Sequence, residues 1–153
     1  MADGDIDRSR LLLPALGPVY QALSQASWPL VRFICGAALV PHGWGKLIEG
    51  GLPGTADAFA KLGIEPAYPL ALYIGLLELV GGTLLALGLF TRLVAVQVVV
   101  FMATAVVQVH WPNGYAWTGK GYEYPLFWGM VALAIAFRGG GRWSVDRLLP
   151  WEF

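Results

Sequence analysis

Apolar residues in this chain come in long runs separated by short polar or glycine-rich breaks. Four runs stand out: Trp28 to Lys46, Pro69 to Phe90, Leu93 to His110 and Tyr124 to Phe137. Each approaches the ~20 residues that an α-helix needs to cross ~30 Å of hydrocarbon. The fourth is short, and Tyr122 and Glu123 are expected to form its first turn. None shows the period-two alternation of barrel strands, and lipid tolerates only helices or closed barrels. The pattern predicts an all-α integral membrane protein, an antiparallel four-transmembrane-helix bundle. Only Thr91 and Arg92 separate the second and third runs, so these two form a tight hairpin.

The flanking segments are read differently. The first loop, "GGLPGTADAFAKLGIEPAYP", predicts a short interfacial helix over Thr55 to Leu62, after a Pro53-Gly54 turn. Residues 1–27 include "LLLPALGPVYQALSQAS", apolar but interrupted by Pro14, Gly17 and Pro18, and are expected to lie along the membrane surface. Residues 28–138 make the membrane domain, and residues 139–153 form an interfacial tail. The polar opening "MADGDIDRSR" lacks a basic and then apolar leader, so no cleaved signal peptide is expected.

Composition agrees with the pattern. Hydrophobic residues make up 57% and charged residues 13% of 153 positions, with mean hydropathy +0.60; a soluble domain carries about 25% charged residues. The formal net charge is zero, which argues against a nucleic-acid partner. A single cysteine, Cys35, excludes dithiol exchange within the chain. With four spans the termini share a side. That side receives Arg8, Arg10, Arg32, Arg92, Arg138, Arg142 and Arg147, against Lys46, Lys61 and Lys120 opposite. The basic residues therefore predict cytoplasmic termini.

Polar residues within the spans carry what chemistry there is. Ala71, Gly75, Glu78, Gly82 and Leu85 share a helical stripe about 80° wide, which turns Glu78 towards the bundle with small residues around it. A carboxylate there needs a partner or a proton. Arg32 is the expected partner; the competing reading has Arg32 snorkelling to the cytoplasmic interface. Gln97, Thr104 and Gln108 form a stripe on the third span, either interhelical hydrogen bonding or a polar cavity wall.

At the opposite end, His42, Lys46, His110, Trp111, Tyr122 and Glu123 are expected at one depth on three spans. They form a candidate site for a quinone-like ring or lipid headgroup, or else a solvated interfacial girdle. Two histidines without a further Cys/His cluster make no metal signal, and haem is disfavoured. No Walker loop, G-x-S-x-G or G-x-G-x-x-G is present, so no catalytic residue is assigned.

The stretches "RFICGAALVPHGWGKL", "GTADAFAKLGIEP", "GLLELVGGTLLALGLFTRLVA", "VHWPNG" and "GYEYPL" resemble the DoxX family of small four-span bacterial membrane proteins. The resemblance runs from about Arg32 to Asp146. It implies a bundle in the bacterial cytoplasmic (inner) membrane and association with redox partners, without an agreed set of catalytic residues to carry over. Three functions compete. One is a redox-system subunit using quinone, with a peripheral oxidoreductase subunit supplying the redox centre. Another is a non-catalytic anchor or assembly protein, packing on other proteins or on copies of itself. The third is a small-solute or proton pathway.

Overall fold

The computed structural model describes residues 6–151; residues 1–5 and 152–153, which hold half of the polar opening and the last two residues of the expected tail, lie outside it. Among the described residues the regular elements are all helical. Helix α1 spans Gly17–Ala37 and α2 spans Val40–Leu47. The break between them follows from Pro41. It has no N–H to give the carbonyl one turn back, so the helix reopens at Ala38 and Leu39. Helix α3 is Leu52–Lys61 and α4 is Ala67–Leu76. The chain then runs through a π-helical turn, Leu77–Gly81, into α5, Gly82–Leu87. Helix α6, Thr91–Thr104, continues into a second π-helical stretch, Ala105–His110. Helix α7 is Glu123–Arg138.

Among the described residues, three helices are long and apolar enough to cross a membrane: Pro14–Leu47 with 34 residues, Ala67–Leu87 with 21 and Thr91–Asn113 with 23. Helix α7 has 16 residues, about 24 Å of rise. Two expectations change. Residues 17–27, in the segment expected to be interrupted, continue the first long helix without a break. Gly17 and Pro18 occupy its first turn, where proline's missing N–H is no loss, so they start a helix and do not interrupt one. The same logic moves the loop helix: Pro53 sits in the first turn of α3, which therefore begins at Leu52 and not Thr55.

The first long helix packs against the second through glycines. A Cβ on Gly36 would collide with the backbone at Gly82 and Ala86, and one on Gly43 with the backbone at Leu79. Backbones meet there, as small-residue membrane interfaces allow. The expected stripe is buried throughout, with Ala71 and Leu85 fully so and Glu78 4% exposed. Helix α7 packs along α6, and Val98, Ala132 and Ile135 close the core.

The tail closes one end of the bundle. Asp146 reaches back across the hairpin turn, its Oδ1 accepting from the Phe90 N–H at 2.7 Å and its Oδ2 from the Thr91 N–H at 3.0 Å. These are orphan donors of the first turn of α6, and the contact holds Phe90 in a left-handed conformation, φ 51°. Trp28 Nε1 donates to the Gly139 carbonyl at 3.0 Å, and the Arg138 guanidinium lies over the Trp28 ring.

Candidate functional site

At the other end, a cavity of about 180 Å³ opens between α2, the two π-helical stretches and α7. At ~30 Å³ per water it has room for roughly six waters, or one substituted six-membered ring. Two imidazoles and a carboxylate from separate elements line it: His42, His110 and Glu78. Both π-helical stretches contribute, since Glu78 lies in the first and His110 ends the second. Such widened turns often re-aim a side chain at a functional site. Phe101, Met102, Tyr124 and Trp128 supply apolar wall. Tyr124 and Trp128, one turn apart on α7, stack with centroids 5.7 Å apart.

Glu78 is held from one side. Its Oε2 accepts a charge-assisted hydrogen bond from Lys46 Nζ at 2.5 Å, and Oε1 has no protein partner among the described residues. The Lys46 side chain is 21% exposed, against 5% for that of Glu78, so the lysine reaches inwards from the less buried position. His110 is fixed by its other nitrogen, Nδ1 lying 2.7 Å from the Lys120 carbonyl. A carbonyl only accepts, so Nδ1 carries the proton and Nε2 of the neutral ring keeps a lone pair. The site therefore holds a carboxylate oxygen and an imidazole nitrogen that can each accept from, or exchange a proton with, a bound hydroxyl.

The expected Arg32–Glu78 pair does not form. Arg32 is 3% exposed. It donates from Nη1 to the Gly140 carbonyl at 3.2 Å and from Nη2 to the Trp143 carbonyl at 2.7 Å. It does not snorkel to solvent either. Register is the reason. A Cβ on Gly88 would strike Arg32 Nη1, so Arg32 lies level with Gly88. That is ten residues, about 15 Å of rise, from Glu78. Gly43 abuts Leu79, which puts Lys46 within reach of Glu78.

The remaining expected site residues are divided among neighbouring features. Trp111 and Tyr122 stack on each other at 4.9 Å. Glu123 accepts from the Trp117 N–H at 3.1 Å and faces a separate hollow with Tyr115 and Phe127. Gln97 accepts from Tyr73 Oη at 2.8 Å and donates to the Leu93 carbonyl, while Thr104 donates to the Val100 carbonyl. Gln97 and Thr104 line a third hollow of about 290 Å³, which Gln108 does not reach. Sequence reasoning missed Met102 and Trp128 as cavity wall. The spacing of Tyr124 and Trp128 was a visible signal; nothing local marked Met102.

Residues 27–111 match the DoxX family. The chain belongs to the DoxX family. It is 32% identical over 135 residues to an uncharacterized membrane protein of Mycobacterium tuberculosis, covering 78% of each chain. It is 35% identical over 106 residues to a Bacillus subtilis protein named "Putative oxidoreductase CatD", covering 69% of this chain and 75% of that one. A Haemophilus influenzae protein is 30% identical over 119 residues, covering 76% and 85%. No solved structure matches. The DoxX region contains His42, Lys46, Glu78 and His110 but stops before α7, which gives the cavity Tyr124 and Trp128.

Proposed function

We propose that this DoxX protein is the membrane subunit of a bacterial redox system, and that its His42–Glu78–His110 cavity holds a quinone headgroup. The observation that carries the reading is the convergence of two imidazoles and a carboxylate on one ring-sized, aromatic-walled hollow. A quinol hydroxyl placed there donates to His110 Nε2 or Glu78 Oε1, and a quinone carbonyl accepts from the same groups when they are protonated. Each electron the ring gains or loses is then matched by a proton moved at those atoms. Phe101, Tyr124 and Trp128 offer flat apolar surface to the ring. The electrons come from a peripheral oxidoreductase partner, because the chain carries no redox motif. The relative named as an oxidoreductase supports that association.

In this reading α7 is the fourth span, extended by its flanking turns. Both termini are cytoplasmic in the inner membrane, because all seven arginines then lie on or just within that side. A cysteine placed among residues 114–119 of a Cys35-free variant labels with an impermeant thiol reagent in intact cells; labelling only after lysis reverses the orientation. The ligand is tested with a His42→Phe/His110→Phe variant, which keeps ring bulk and removes the nitrogens. Gently purified parent protein is expected to carry quinone, seen by mass spectrometry and absorption, and the variant to lose it. Unchanged quinone content in a folded variant removes the site, and a stoichiometric protein partner without ligand favours an assembly role.

A further inference from the structure

We infer that the ligand of the His42–Glu78–His110 cavity carries a prenyl tail, and that this tail crosses α6 at Ala105 to lie in the hollow lined by Leu70, Val100 and Thr104. The inference rests on the headgroup reading above and adds the substrate class. Two hollows flank the same helix, and Phe101 and Ala105 line both. These residues are one turn apart and form a ridge between them. Ala105 is its low point, a methyl group at the first position of the π-helical stretch.

The two hollows differ in chemistry. The headgroup cavity presents His110 and Glu78 with uncommitted acceptor atoms. In the second hollow the polar groups are already satisfied: the Tyr73 hydroxyl by Gln97, the Gln97 amide by the Leu93 carbonyl, and the Thr104 hydroxyl by the Val100 carbonyl. What remains is hydrocarbon-like wall, closed on one side by Phe59 and Ile64 from α3 and the turn after it. Such a hollow suits an apolar chain and penalises a headgroup. Size points the same way. The headgroup cavity, about 180 Å³, falls below the ~300–1,000 Å³ of ordinary small-molecule sites, while the pair together reach that range. Tyr73 and Val100, 44% and 61% exposed, open the second hollow sideways, where a tail enters from the bilayer.

The test uses the full chain in nanodiscs of phosphatidylcholine and phosphatidylglycerol. The probes are dimethoxy-methyl-1,4-benzoquinones bearing no tail or a progressively longer isoprene chain. Binding is read by native mass spectrometry for the parent, for Leu70→Trp and for Ile64→Trp. Comparing parent and variant for each probe cancels partitioning into lipid, and two independent filling variants cover the failure of either to fold. The parent is expected to bind more tightly as the tail lengthens. The filled variants are expected to lose about tenfold for long-tailed probes while holding the tail-less ring within about twofold. Variants that match the parent at every tail length, or that weaken all probes equally, overturn the inference. So does loss of co-purified phospholipid with tail-dependent binding intact, which gives the hollow to bilayer lipid. A parent that binds no probe of any length overturns the headgroup reading, and this inference with it.

Discussion

Both ends of this bundle bury a charged side chain, and they treat it in opposite ways. At the Asp146 end, Arg32 is held by two backbone carbonyls, and the Asp146 carboxylate spends both oxygens on backbone N–H groups. At the His110 end, Glu78 is held through one oxygen by a flexible lysine, and His110 through one nitrogen. Backbone partners belong to the fold itself and cannot turn away; a lysine side chain can. The first arrangement locks a tail onto a hairpin. The second leaves acceptor atoms facing a cavity, which is what a site needs. A buried charge therefore says little about function until its partners are known.

That contrast can be broken by experiment, most forcefully at the locked end. Arg32→Ala is expected to cost about 3–5 kcal/mol, since it removes two charge-assisted hydrogen bonds and leaves two carbonyls and a void behind. Thermal unfolding in detergent reads it, and a loss no larger than that of Glu78→Ala collapses the comparison. Asp146→Ala should cost about 2–3 kcal/mol by freeing the Phe90 and Thr91 N–H groups. Its specific mark is faster hydrogen exchange at those two amides, and unchanged exchange would show that the tail does not cap α6. Glu78→Ala should cost only about 1 kcal/mol, because Lys46, in the last turn of α2, is partly exposed and its flexible side chain can turn away. Its larger consequence, on the proposed function, should be lost quinone retention, with Glu78→Gln keeping more stability than binding. Tyr73→Phe should be smallest, about 0.6 kcal/mol for one hydrogen bond between membrane helices; a loss several-fold larger would make Gln97 part of a lock like that at Arg32.

Much of the fold was legible along the chain. Long apolar runs announce membrane helices because lipid leaves the backbone no other way to satisfy its hydrogen bonds. The stripe through Ala71, Gly75 and Gly82 announced a buried, close-packed face, and all three residues are buried. The polar groups were harder to read. Gly17, Pro18 and Pro53 looked like breaks and are helix starts, because the same residue types serve both ends of an element. Of the residues expected at one ligand site, His42 and His110 share a cavity, Lys46 touches it through Glu78, and Trp111, Tyr122 and Glu123 turn to other partners.

Periodicity and composition, read from the sequence alone, determined that the protein is helical and built for a membrane, and that Glu78 faces other helices. Those properties are local, set by the spacing of residues on one helix and the solvent each face prefers. Which charge meets which was decided only in three dimensions. Gly36 meeting Gly82 and Gly43 meeting Leu79 set how far one helix slides along the other, and a slide of a few residues moves a side chain by a whole turn. That register carries Arg32 to the tail carbonyls and Lys46 to Glu78. It also turns Glu78 into the cavity that His42 and His110 share, a neighbour that no pattern along the chain had given them.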